Sequence, residues 1–218
     1  EAMTLPLPVA AGGGLGAAAL DRLRDAAVAG RVLAVGPGLG RQAETLATVR
    51  QLVLEAALPL VLDADGLAAF EGDLEALAAR RAPSVLTPHP GEMARLLATT
   101  TAGIAADRLA AVRTAAKRSA CLVVLKGERT LVAAPDGEAW VNSTGNSGMA
   151  SGGSGDALTG VVAARLAQGD EAVLAACLSV HLHGAAGDLA RQRHGGPAVP
   201  AGELIACLGA AHDRLIEA

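Results

Sequence analysis

Apolar residues along this chain of 218 residues fall into short blocks set between polar, glycine- and proline-rich turns. Six blocks have the length and branched-residue content of strands: 31–36 (RVLAVG), 58–65 (LPLVLDAD), 83–88 (PSVLTP), 121–127 (CLVVLKG), 129–135 (RTLVAAP) and 138–142 (EAWVN). The first four are nearly all apolar, as strands covered on both faces are. The tight KGERT connection and the PDGEA turn predict a small antiparallel meander over 121–142. Helical spacing predicts helices near 15–29, 41–57, 72–80, 91–98, 103–118, 155–168, 170–193 and 201–217, with Pro59, Gly169 and Pro200 at boundaries. This alternation predicts an α/β fold, a three-layer α/β/α sandwich around a mostly parallel sheet. No repeat or linker interrupts it, so residues 1–218 are expected to form a single domain.

In open α/β sheets, ligands bind beyond the carboxyl ends of the strands. The unusual residues of this chain gather there: GPGLGR, DADG, TPHPGE and KGERT follow the first four strands, and a glycine-rich loop at 142–155 follows the meander. That loop ends in GGSGDALTG, which sets Gly152, Gly153 and Gly155 before a helix. A helix N-terminus offers free N–H groups and positive dipole charge, so this is an expected anion hole. It lacks the lysine of a phosphate-binding P-loop and breaks the G-x-S-x-G pattern at its last position. Asp156 stands out, because a carboxylate repels a phosphate. Dipole complementation is its bland role; proton abstraction from a hydroxyl attacking a phosphoryl group is the reading that accounts for the repulsion.

The other loops carry weaker signals. GPGLGR fails the dinucleotide fingerprint at Arg41, leaving Gly38 and Gly40 as a turn or as a close approach to a ligand. Asp63 and Asp65 are read as helix caps, with a second-shell magnesium or water position as the alternative. His89, bracketed by two prolines, is expected to contact a ligand, and Glu92 to complement the next helix dipole. Lys126 and Arg129 form a charged hairpin tip or a phosphate contact. His181, His183, His194 and His212 lack metal-ligand spacing, so packing or solvent is their default, and no protein-ligated metal site is expected.

Composition narrows the function. Aromatics make up 1% and the formal net charge is −4, which argues against nucleic-acid binding. Cys121, Cys177 and Cys207 have no CxxC spacing and read as buried thiols. No apolar stretch reaches the roughly 18 residues of a membrane span, and no signal peptide is visible. A cytoplasmic protein without membrane contact is expected.

GPGLG, LDADGL, LTPHPGEMARLL, LKGERT and GNSGMASGGSGDALTG, in this order, closely resemble the ADP/ATP-dependent NAD(P)H-hydrate dehydratases of the ribokinase-like superfamily. The resemblance covers essentially the whole chain. It implies a repair reaction in which the ring hydroxyl of the S-epimer of hydrated NADH or NADPH is phosphorylated at the expense of ADP or ATP, with Mg2+, and phosphate is then lost. It implies Asp156 as base and substrate contact, with Gly38, Gly40 and His89 also touching the hydrate. It implies nucleotide contacts at Lys126, Gly127, Glu128, Arg129, Thr130, Asn146, Gly152, Gly153 and Gly155, with Asn146 ordering the loop or a magnesium-linked water. Bacterial members generally use ADP, and the Ala-, Gly- and Arg-rich composition favours ADP here. A homo-oligomer of four or more subunits and a fused or separate epimerase are further expectations. Family members carry a further strand–helix–strand unit ahead of residue 1, so the domain is expected to be N-terminally incomplete. The runners-up are a ribokinase-like kinase of the hydroxymethylpyrimidine or hydroxyethylthiazole type, and a non-catalytic nucleotide-binding module.

Overall fold

Each of the six apolar blocks closes as a strand in the computed structural model, which describes residues 3–217. In chain order the elements are α1 (Leu20–Val28), β1 (Leu33–Val35), α2 (Ala43–Glu55), β2 (Leu60–Leu62), α3 (Ala64–Ala68), β3 (Ser84–Leu86), α4 (Pro90–Leu96), α5 (Thr101–Ala106), α6 (Arg108–Ser119), β4 (Leu122–Leu125), β5 (Leu131–Ala133), β6 (Ala139–Val141), α7 (Ser154–Gln168), α8 (Ala172–His194) and α9 (Ala201–Ile216). The strands lie in sequence order, β1 to β6. The first four are parallel, registered Leu33 on Leu60, Leu60 on Ser84 and Val85 on Leu122. Strands β5 and β6 return antiparallel, Val123 opposite Ala133 and Leu131 opposite Val141, forming the expected meander.

Side chains alternate across the sheet because the strand period is two. Leu60, Leu62, Leu86, Val123 and Leu125 face one core, which Leu67, Phe70, Met93, Leu96 and Val112 complete. Val61, Val85, Val124 and Val132 face the other, against Leu158, Val162 and Leu166 of α7 and Ala175, Ala176 and Val180 of α8. The two cores make three layers, as the apolar strands foretold. A third cluster joins α8 to α9 through Leu182, Ala186, Leu189, Leu204 and Cys207. Cys121 and Cys207 are buried, Cys177 is half-buried, and all three are unpaired thiols.

Several expectations are corrected. The helix at 72–80 is a 3₁₀ turn, Leu74–Ala79. The helix at 103–118 is two, because Asp107 leaves helical geometry and its side chain accepts the Ala110 N–H at 2.8 Å, starting α6 afresh. A short helix, α3, starts within DADG, ahead of the helix expected at 72–80. Helix α8 is long and apolar enough, by length and composition, to cross a membrane, contrary to the reading of the chain by continuous apolar runs. Half of its apolar window is buried, chiefly against α7 and α9, as the central helix of a packed layer would be.

Candidate active site

The carboxyl ends of β1 to β4 bring four of the singled-out loops to one rim. At the first, Gly36 takes a φ of +146°, and a Cβ there would collide with the Asp63 carbonyl. Only glycine lets the two strand ends close to this degree. The Gly40 N–H donates to Asp65 Oδ2 at 2.9 Å, tying the first loop to the second, while Gly38 faces open space. Asp65 therefore fastens a loop.

Asp63 is not the cap it was read to be. It occupies the N-cap position of α3 but makes no capping bond. Its carboxylate turns inward, where Oδ1 accepts from Lys126 Nζ at 2.6 Å and Oδ2 from Thr159 Oγ1 at 2.8 Å. The side chain is 1% exposed, and that of Lys126 18%. A carboxylate this deep is tolerated only with its charge paired and its oxygens hydrogen-bonded, and here each oxygen accepts one bond, that of Oδ1 from an ammonium. The backbone is strained beside it, with Ala64 at φ +46°.

Lys126 links the remaining loops. Its N–H donates to the Pro88 carbonyl at 2.9 Å, and its Nζ lies 3.8 Å from Glu92 Oε2. A Cβ built on Gly155 would stand 3.3 Å from Nζ and 3.9 Å from Asp63 Oδ2, so the ammonium abuts the first turn of α7. That turn starts from Gly153, a left-handed N-cap at φ +85° with no side chain to supply a cap. A Cβ on Gly152 would meet nothing within 4 Å. The Ser154 N–H donates back to the Ser151 carbonyl at 3.4 Å, which leaves the N–H groups of Gly155 and Asp156 for a ligand, beside a fixed positive charge. Asp156 is exposed in the same turn.

His89 has a structural role that its sequence context did not announce. Its Nδ1 accepts from the N–H groups of Gly91 at 3.0 Å and Glu92 at 3.4 Å, while the Glu92 carboxylate accepts the His89 N–H at 2.7 Å. The pair forms a reciprocal capping box on α4. Glu92 is therefore more than a dipole complement. The ring remains half exposed, with Nε2 lying 3.4 Å from Glu92 Oε1.

In the 126–130 turn, Arg108 from the start of α6 donates to the carbonyls of Glu128 and Leu125, and Thr130 Oγ1 donates to the Gly127 carbonyl. Glu128 and Arg129 are exposed. Asn146 lies outside the Lys126 network. Its Oδ1 accepts the Gly148 N–H and its Nδ2 donates to Asp188 of α8, which also accepts the Gly145 N–H. Asn146 thus orders the glycine loop, one of its two expected roles. The loop also packs closely on α8: a Cβ on Gly184 or Gly187 of α8 would collide with Thr144 or Met149 of the loop.

Sequence reasoning missed Thr159, Arg108 and the placement of His183. Thr159 follows Gly155 by four residues, a same-face spacing that pointed to it. His183 is buried behind the turn, its Nε2 2.9 Å from the Ser154 carbonyl, and burial pushes its pKa below the usual value. Arg108 carried no local signal.

This arrangement suits a phosphate. A divalent cation finds less: among the described residues no three His, Cys, Asp or Glu side chains cluster, and both Asp63 oxygens are engaged. Magnesium would fit here carried on phosphate oxygens and water. Concavities of about 410 and 360 Å³ lie at α8–α9 and α1–α2; Asp188 borders the first, but none of the residues around Lys126 and the first turn of α7 lines either, so chemistry and not cavity size marks the site.

The sequence profile of a family described as NAD(P)H-hydrate dehydratase matches residues 6–208. The chain is 46% identical over 205 residues to a bifunctional NAD(P)H-hydrate repair enzyme of Moorella thermoacetica, covering 94% of this chain and 39% of that protein. It is 46% identical over 164 residues to an ADP-dependent (S)-NAD(P)H-hydrate dehydratase of Neisseria meningitidis, covering 74% of this chain and 55% of that protein. It thus spans less than two thirds of either relative. The ADP/ATP-dependent NAD(P)H-hydrate dehydratase from Bacillus subtilis, co-crystallised with ATP and Mg2+, superimposes with a TM-score of 0.77 at 31% identity, over 90% of this chain and 69% of that one.

Proposed function

The chain belongs to the NAD(P)H-hydrate dehydratase family, and we propose that as a single domain it regenerates NADH or NADPH from the hydrated S-epimer by a phosphorylation followed by an elimination. ADP is the expected co-substrate over ATP, a choice supported by the ADP-dependence in the name of the Neisseria relative. The observation that carries the proposal is the uncapped first turn of α7, with Lys126 against it and Asp156 within it.

Asp156 takes the proton of the ring hydroxyl as that oxygen attacks the terminal phosphoryl group, and AMP leaves from ADP. The α7 N–H groups and Lys126 meet the charge gathering on the transferred group. The phosphate ester then departs as inorganic phosphate while the ring loses a proton, restoring the double bond. Magnesium, when bound, supplies charge neutralisation on the phosphates. Gly38, Gly40 and the exposed ring of His89 border the hydrate; Gly127, Glu128, Arg129 and Thr130 border the nucleotide, as do Gly152, Gly153 and Gly155. Asn146 acts by holding the glycine loop.

The same proposal puts the reaction in the cytoplasm, a reading supported by the unpaired thiols. An epimerase, fused or separate, and assembly into four or more subunits belong to the same proposal, the former supported by the bifunctional name of the Moorella relative. The test supplies hydrated NADH, magnesium and ADP or ATP, and follows the near-ultraviolet absorbance of the restored dihydronicotinamide. A nucleotide-dependent rise is expected. A stable phosphorylated product would instead assign a small-molecule kinase, and nucleotide binding without turnover would assign a binding module.

A further inference from the structure

Asp63 and Thr159 do not border any of the ligands just assigned, yet both are buried and both end on the same carboxylate. An ammonium carries three N–H donors. Among the described residues only Asp63 lies within hydrogen-bond distance of Lys126 Nζ, since 3.8 Å to Glu92 is an ion-pair separation and no hydrogen bond. Donors are left over on a group that abuts Gly155. A longer residue at 155 would push the ammonium away, which gives that glycine a reason distinct from backbone conformation. Thr159 fills the second oxygen of Asp63 and so fixes the carboxylate's orientation.

We infer that Asp63 and Thr159 are positioning residues, which hold the Lys126 ammonium against the first turn of α7 so that it acts as a preset charge on the phosphate bound there. This rests on the nucleotide reading above. Presetting matters because a charge already oriented needs no reorganisation when phosphate arrives. The rival role is purely architectural: a buried pair joining β2, β4 and α7.

The two roles separate by ligand. Titration calorimetry on the full chain would compare ADP with adenosine, with and without magnesium, and melting temperatures would be measured alongside. Lys126→Met is expected to weaken ADP binding about 10-fold or more while leaving adenosine unchanged. Asp63→Asn should show the same phosphate-selective loss at several-fold, Thr159→Val a smaller one, and Thr159→Ser recovery. If Asp63→Asn fails to fold, the Thr159 pair carries the test. Equal losses for ADP and adenosine would make the pair architectural and overturn the inference. A loss with Asp63→Asn that vanishes without magnesium would overturn it too, making Asp63 a metal ligand. A wild-type chain that binds neither ADP nor ATP would sink the nucleotide reading and this inference together, whereas normal wild-type binding with no selective loss in the variants would sink this inference alone.

Discussion

Two helices begin at the same rim, and they begin in opposite ways. Helix α4 is sealed: His89 and Glu92 exchange bonds with its first turn, and Pro90 at the start has no N–H to lose. Helix α7 is open: its N-cap is Gly153, which brings no side chain, and its first turn holds Gly155 and an exposed carboxylate. Both dipoles point at the rim, but only the second has groups left for a ligand. A helix N-terminus becomes an anion site by what is withheld from it as much as by its dipole.

The sharpest test of the open helix is Asp156→Asn. Turnover should fall about 10²- to 10⁴-fold while ADP affinity holds. A variant that keeps its turnover would remove Asp156 from the chemistry. Next comes Gly153→Ala, which forces a left-handed residue with a Cβ 3.3 Å from Ala201. Its cost is about 1–2 kcal/mol, read by denaturant unfolding, with weaker nucleotide binding as the turn shifts. Unchanged stability would show that the left-handed cap is not enforced.

On the sealed helix, His89→Ala removes a cap and should cost about 1 kcal/mol. His89→Asn restores a capping side chain and should recover that stability. If His89 also contacts the hydrate, the Asn variant keeps a raised KM despite its recovered stability; a normal KM would leave His89 a cap alone.

The smallest effect is a pH dependence. Burial holds the His183 pKa below its unfolded value of 6.5, with Lys126 opposing its protonation and the Ser154 carbonyl favouring it. In the window below 6.5 the unfolded chain binds a proton that the native chain refuses, so stability is intact above that pH and declines as pH falls through it. Unfolding free energies across this range should show the decline, and His183→Gln should flatten it. An identical slope in both proteins would assign the decline to other groups.

How much of this was legible depends on the reach of each interaction. Strands β2 to β5 showed in the apolar pattern because burial on two faces leaves its mark on consecutive residues, whereas the part-exposed β1 and β6 showed through their branched residues and flanking turns. The capping box sat in the sequence at the right spacing, but histidine is outside the usual capping residues, so the spacing gave no cap signal. Asp107 and Thr100, which cap α6 and α5, lay inside a run whose helical spacing concealed the break.

Sequence alone determined the layered α/β architecture, the gathering of the polar loops at one rim and the family, since these rest on local pattern and on motifs of contiguous residues. Tertiary structure alone decided which carboxylate holds Lys126 and what fastens the glycine loop. Lys126 lies 63 positions from Asp63, Thr159 lies 96 positions from it, and Asn146 lies 42 positions from Asp188. No local preference encodes such pairs. The order of parallel strands and the packing of α7 and α8 on the sheet bring them within reach, and only there does an aspartate at a strand end cease to be a cap and become the anchor of a charge.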